Sequence, residues 1–164
     1  MLFCFTLITY QSDFQLQLLK MAFLEKHLLI KHSTLPGAGK GLFTKKLIPK
    51  GTRIVEYKGK ITTWKEVDHL EGLNAYIFYI NRNHVIDASK HKNSFARFAN
   101  DAKGSKKGSG LINNCKYVVD GLRVFLESKK EISANEEILA GYGKEYWDII
   151  RLNKKTGREN KKVK

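Results

Sequence analysis

The feature that most constrains the fold is how the chain's apolar residues are grouped. They fall in many short runs, each cut off by glycine, proline, asparagine or aspartate. Leu28–His32 is a brief apolar run, and Gly37, Gly39 and Gly41 punctuate a tight loop ahead of Leu42 and Phe43. Pro49-Lys50-Gly51 signals a turn, and the alternation of Thr52–Tyr57 predicts a strand. Ala75–Ile80 is rich in β-branched and aromatic residues and turns through Asn81-Arg82-Asn83 into Val85–Asp87, a predicted hairpin. Asp120-Gly121 sits between Tyr117–Val119 and Arg123–Leu126, a second hairpin signal. Helix is expected twice. Thr63-Trp64-Lys65-Glu66 fits a capping box that opens a helix over Trp64–Glu71, and Glu145–Arg151 carries Trp147 and Ile150 on one face. Ser94–Ala99 is ambiguous by period. Strand and helix do not alternate regularly, so a mainly β fold is expected rather than a doubly wound sheet.

Length and charge narrow the class further. The chain has 164 residues, enough for one domain with a modest core, and 42% of them are hydrophobic, too many for a disordered chain. Its formal net charge is +14, and the segment from Arg151 to Lys164 carries seven Lys and Arg against one Glu. Residues 151–164 read as a basic C-terminal tail, which suits a nucleic-acid-associated partner, an acidic protein or solvent alone. Lys103–Gly110 has linker composition. Cys4 and Cys115 are too few for a disulfide framework or a structural zinc site, so no metal is expected. They suggest a reducing compartment, the cytoplasm or, in a eukaryote, the nucleus. The apolar stretch at the start is too short to span a bilayer, and no membrane partner is expected. Met21 opens a second candidate start, so residues 1–20 are read as a disordered extension or misassigned start and 21–150 as the domain.

The glycine loop Pro36–Phe43 fails two ligand signatures. A phosphate loop needs G-x-x-x-x-G-K-[ST], and the dinucleotide fingerprint G-x-G-x-x-G must precede a helix. What remains is a plain turn or a loop whose bare backbone approaches a ligand closely. Further on come Arg97-Phe98-Ala99-Asn100-Asp101-Ala102, then Asn113-Asn114-Cys115, then Asn135–Gly143 with Trp147 close behind. Singly these are turns and strand ends.

In order, GAGKGLF, EYKGK, RFANDA, NNC and NEEILAGYG resemble the motif set of the SET-domain protein-lysine methyltransferases, of the small single-domain type without zinc-binding cysteine clusters. The resemblance spans about Leu28 to Trp147. It implies a β-clip-like fold of small curved sheets, with few short helices and a C-terminal pseudoknot that brings Asn100-Asp101, Asn114-Cys115 and Tyr142 together. It also implies S-adenosylmethionine as methyl donor and a lysine-containing protein as substrate.

Methyl transfer to lysine needs a neutral amine. With a reference pKa near 10.4, deprotonation at pH 7 costs about 4–5 kcal/mol. A narrow aromatic channel lowers that cost by excluding water while its ring faces tolerate a cation. The resemblance makes Tyr142 the active-site tyrosine, with Tyr57 and Tyr76 as further wall candidates. It gives Lys40, Gly41 and Phe43 to the methionine part of the cofactor. Phe98, Asn100 and Asp101 go to its amino group and adenine, with Trp147 as a stacking partner for adenine.

Three departures stand out. Asp101 replaces the family's usual His. Ala140 and Gly141 are small where many members carry a bulky aromatic, leaving room for more than one methyl or a water. The zinc-binding cysteines are absent, so the C-terminal helix and tail must close the site. Two other readings are a non-catalytic SET-like binding module, in which Asp101 has abolished cofactor binding, and a basic nucleic-acid-associated protein.

Overall fold

Strands this short cannot bury a face alone, and the chain solves this by building three small sheets around one shared core. The computed structural model describes residues 24–70, 73–104 and 110–157. Among these residues, β1 (Leu28–His32), β2 (Lys40–Thr44) and β9 (Glu137–Ile138) form an antiparallel sheet in the order β1-β2-β9. A second sheet orders β3 (Arg53–Glu56), β8 (Arg123–Ser128) and β7 (Cys115–Asp120). The third orders β4 (Lys60–Thr62), β6 (His84–Asp87) and β5 (Ile77–Asn81). The mainly β architecture is the one expected. Helix α1 (Lys144–Lys155) runs past the expected Arg151 into the basic segment. Residues 1–23, 71–72, 105–109 and 158–164 lie outside the described residues, and with them the N-terminal extension, most of the Lys103–Gly110 insertion and the end of the tail.

The two hairpins sit where local chemistry places them. Asp120 pairs with Arg123 across a loop in which Gly121 adopts φ 60°, a left-handed conformation that glycine reaches without strain. Asn81 pairs with His84, and the Asn81 side chain accepts the Asn83 N–H at 2.9 Å. Ser94–Ala99 resolves into a 3-10 turn over Phe95–Phe98.

The helix expected over Trp64–Glu71 does not form over the described residues 64–70, and Glu71 lies outside them. Its first turn is present: Glu66 N–H donates to Thr63 Oγ1 and Val67 N–H to the Thr63 carbonyl. The turn then ends, because the Asp68 carboxylate takes the Leu70 N–H at 2.9 Å and Leu70 swings to φ 45°. Trp64 packs instead on His69 and Tyr79, with ring centroids 4.3 and 5.2 Å away. A local start signal was outcompeted by an aspartate turn and an aromatic contact.

The core lies where the sheets meet. Leu42, Ile54, Ile86, Leu126 and Ile138 are each at most 2% exposed. Each such side chain contributes about 1.5–3 kcal/mol of burial. Two half-buried ion pairs brace the outer face of the second sheet: Arg123 grips Glu56 with two bonds of 2.6–2.8 Å, and Arg53 meets Asp120 at 2.6 Å. No helix among the described residues is long and apolar enough to cross a membrane.

After β9 the chain threads a closed loop. Leu139 bridges Asn100 and Ala140 bridges Cys115, both in parallel sense. The Ala140 N–H donates to Asn100 O at 2.8 Å, and the Cys115 N–H donates to Leu139 O at 2.9 Å. Above this segment the Asn113 side chain closes the loop, accepting from Ala102 N–H at 2.8 Å and donating to Asp101 at 2.9 Å. This is the expected C-terminal pseudoknot.

Candidate active site

The crossing is held by asparagines whose side chains replace backbone partners. Asn114 is 1% exposed. Its Oδ1 accepts from Leu139 N–H at 2.8 Å, and its Nδ2 donates to Glu137 O at 2.8 Å and to Glu136 at 3.1 Å. Asn100 donates from Nδ2 to Lys40 O at 3.0 Å and to Glu137 at 3.2 Å, tying the crossing to the glycine loop. The segments carrying Asn100-Asp101, Asn114-Cys115 and Tyr142, far apart in sequence, therefore meet.

Asp101 sits at the centre of the crossing, 3% exposed. Its Oδ2 accepts from Tyr142 N–H and from the Trp147 indole, each at 2.8 Å. Its Oδ1 accepts from Lys103 N–H and Asn113 Nδ2, each at 2.9 Å. Burial alone would raise its pKa, but the bonds from Tyr142, Lys103, Trp147 and Asn113 outweigh it and hold the carboxyl below its ordinary value.

Beside the crossing opens a cleft of about 1040 Å³. Tyr57, Tyr76, Asn100, Asp101, Tyr142 and Trp147 all line it. The Tyr142 hydroxyl donates to Ala99 O at 3.0 Å, and its ring meets Tyr146 at 4.6 Å between centroids. The Tyr57 hydroxyl donates to Tyr76 O at 2.9 Å, and its ring meets Phe78 and Tyr117 at 5.9 and 5.8 Å. The Arg97 guanidinium covers the Tyr76 ring at 4.1 Å. Burial pushes the phenols of Tyr142 and Tyr57 far above their ordinary range, so both stay neutral.

Four sequence candidates do not line the cleft: Lys40, Gly41, Phe43 and Phe98. The stretch Leu35–Ala38 of the glycine loop does so instead. Phe43 is 2% exposed, with Lys31 Nζ 4.1 Å above its ring. Phe98 is half-buried against the core. Gly41 has a packing role, because a Cβ there would lie 2.2 Å from Glu137 Oε1. Glu137, 4% exposed, accepts from Ser33 Oγ, Thr34 N–H, Thr34 Oγ1 and Asn100, and so fixes the base of the glycine loop.

The sequence reading passed over three wall residues. Tyr117 reads as a strand residue, yet its ring packs 5.5 Å from Phe78 in the wall. Tyr146 reads as part of a helix face. Arg97 lines the cleft with a buried Nε that finds no partner among the described residues. The signal for Arg97 was its place at the head of RFANDA. Among the described residues, no group of three or more His, Cys, Asp or Glu could hold a metal ion.

A threaded crossing that presents a buried phenol to an aromatic cleft places this fold among the SET methyltransferase-domain structures. The chain belongs to the SET-domain family, whose model matches residues 39–143. It is 32% identical over 118 residues to a histone-lysine N-methyltransferase, ASHH1, of Arabidopsis thaliana, a match covering 68% of this chain and 23% of that protein. It is 29% identical over 126 residues to the N-lysine methyltransferase KMT5A-A of Xenopus laevis, covering 70% of this chain and 36% of that protein. The chain thus spans between about a quarter and a third of these relatives' lengths. In fold it is similar to the methyltransferase domain of human PR domain-containing protein 2, with a TM-score of 0.54 at 21% identity over 72% of this chain and 78% of that one.

Proposed function

We propose that the chain transfers methyl groups from S-adenosylmethionine to the side-chain amine of lysine in a protein substrate. The observation that carries this reading is the Tyr142 phenol, neutral and tethered beside the crossing in an aromatic cleft. Family membership and the two lysine-methylating relatives support it.

The cleft suits the cofactor's chemistry. Arg97 brings a permanent cation with a spare buried donor, matched to a carboxylate, and the aromatic walls suit adenine and a sulfonium. Leu35–Ala38, Arg97, Asn100, Asn113 and Trp147 are the residues we assign to holding it. When bound, the cofactor supplies a methyl group activated by the positive sulfur.

The protein's own groups prepare the amine. Tyr57, Tyr76, Phe78, Tyr117 and Tyr142 exclude water, which disfavours the ammonium and eases loss of its proton. Tyr142 does not take that proton, since burial keeps its phenol protonated. Its O–H is committed to Ala99 O, which leaves the oxygen's lone pairs to accept from the amine and orient it. Gly141, which lines the cleft without a side chain, leaves room for more than one methyl at the lysine, whereas Ala140 is buried in the crossing. The basic residues of α1 and beyond suit a nucleic-acid-associated protein as substrate.

Calorimetry with S-adenosylmethionine, followed by labelled methyl transfer to a cell lysate, tests the reading. Tyr142→Phe is expected to bind cofactor within about threefold of wild type and to lose about 100-fold in transfer, the scale of a misplaced reactant. No cofactor binding by the wild-type chain would refute the proposal in favour of a non-catalytic module.

A further inference from the structure

We infer that Asp101 is a positioning residue that clasps helix α1 to the pseudoknot, making that helix the closing wall of the cleft's cofactor end; the functional part of this rests on the methyltransferase reading above. Beyond the Tyr146–Tyr142 ring contact and the buried, partnered Asn153, little of the helix is covered. Of its twelve residues only Asn153 is fully buried, while Ile149 and Leu152 are 45% and 59% exposed. Its N-cap, Gly143, supplies no side-chain cap bond. A helix this short is marginal by itself and takes its stability from packing. Yet Glu145, Tyr146, Trp147 and Ile149 all line the cleft, so the wall is only as fixed as α1 is.

The geometry shows what fixes it. Asp101 Oδ2 receives Tyr142 N–H, just before the helix, and the Trp147 indole, one turn into it, at the same distance of 2.8 Å. The other oxygen is engaged by Lys103 N–H and Asn113 from the two sides of the closed loop. One carboxylate thus joins loop, threaded segment and helix. Among the described residues no cation lies within ion-pair distance of it, so the four N–H groups carry the whole compensation of a buried charge.

The residue type is matched to this task. A neutral histidine offers one acceptor nitrogen, and asparagine offers one acceptor oxygen and an amide that would face two donors. Only a carboxylate of aspartate's length presents two acceptors to four donors. The same fit explains why Trp147 stands where it does. A phenylalanine would keep the ring beside Tyr142 but lose the donor.

The test uses the full chain and two variants, Asp101→Asn and Trp147→Phe, with two readouts. The first is amide hydrogen exchange over residues 144–155 without ligand. The second is binding of S-adenosylhomocysteine by calorimetry, with the cofactor KM and kcat. Each variant is expected to speed exchange in α1 at least about tenfold and to weaken binding about tenfold, the scale of one charge-assisted hydrogen bond. The cofactor KM is expected to rise by more than kcat falls. The double variant is expected to match the worse single one, because both remove the same contact. Unchanged α1 exchange with unchanged affinity, or additive effects in the double variant, would overturn the clasp. Should Asp101→Asn fail to fold, Trp147→Phe, which removes one donor only, decides. Should the wild-type chain bind no cofactor, the methyltransferase reading fails while exchange still decides the clasp.

Discussion

Gly41→Ala isolates what the glycine loop needs from its third glycine. The added methyl would lie 2.2 Å from Glu137 Oε1, 2.9 Å from its carboxyl carbon and 3.2 Å from Ser33 Cα. Backbone strain is not the issue, since Gly41 is not among the positive-φ glycines. The clashing Oε1 must move, and in doing so it leaves the two groups that donate to it, Ser33 Oγ and Asn100 Nδ2. Losing two charge-assisted bonds of about 1.5–3 kcal/mol each predicts a cost of about 3–6 kcal/mol. That is a large part of the roughly 5–15 kcal/mol that a domain has. With a urea m-value of about 2 kcal/mol/M, the unfolding midpoint drops by about 2 M. Urea titration followed by circular dichroism measures this, in wild type and in a Glu137→Ala background. With the carboxylate gone, Gly41→Ala is expected to cost less than about 1 kcal/mol, because the two sites share one contact. An equal cost in both backgrounds, or a wild-type cost below 1 kcal/mol, refutes the packing argument and returns Gly41 to a ligand role.

Two further outcomes follow from burial around the cleft. Cys115 is 1% exposed, and burial, with Glu136 nearby, pushes its thiol up to about 12. In the native protein at pH 8 it is expected to resist iodoacetamide and to react once unfolded, as read by peptide mass spectrometry; fast native labelling would refute the placement. Tyr57, Tyr117 and Tyr142 hold their protons more tightly in the folded chain than in the unfolded one, where the ordinary value is 10.0. Stability is therefore intact below about pH 10 and falls as pH rises above it. Their ionisation at 295 nm is expected to coincide with loss of circular dichroism; a smooth titration of all tyrosines before unfolding would contradict the burial.

What the sequence revealed and what it hid divide along contact distance. The hairpin at Gly121 and the turn at Asn81–Asn83 were legible because the groups that make them are neighbours. The helix over Trp64–Glu71 was misread for the converse reason. Its capping bond exists, but Asp68 offers Leu70 a rival partner, and Trp64 packs on Tyr79 from a distant strand. The motif set marked Asn100, Asp101 and Tyr142, and the structure brings them to one cleft. No pattern in the chain announced that Gly41 faces a carboxylate 96 positions later, that Trp147 donates to Asp101, or that Arg97 keeps an Nε with no partner among the described residues. These depend on the threading, which is a property of the whole topology.

Asn114 shows how far the threading leans on single side chains. The buried segment meets the Cys115 backbone at a single bridge, and at Glu137 O and Leu139 N–H the side-chain amide of Asn114 stands in for a strand. It gives Leu139 N–H an acceptor and Glu137 O a donor, both at 2.8 Å. Asn114→Ala strands these two groups where water does not reach, at about 1–3 kcal/mol each. Asn114→Asp keeps the acceptor but sets a buried carboxylate against Glu137 O and beside Glu136. At pH 7 the Asp variant is therefore expected to be the less stable of the two. Burial and Glu136 raise the new carboxyl's folded pKa above its unfolded value of about 3.9. A raised carboxyl is penalised only where the unfolded chain would ionise, so the deficit is full at neutral pH and shrinks as pH falls toward 4. Denaturant melts of both variants at pH 7 and pH 4.5 measure the difference. If the Asp variant matches the Ala variant at both values, the amide is not bridging the crossing, and the pseudoknot must be held by the backbone bridges at Asn100 and Cys115 alone.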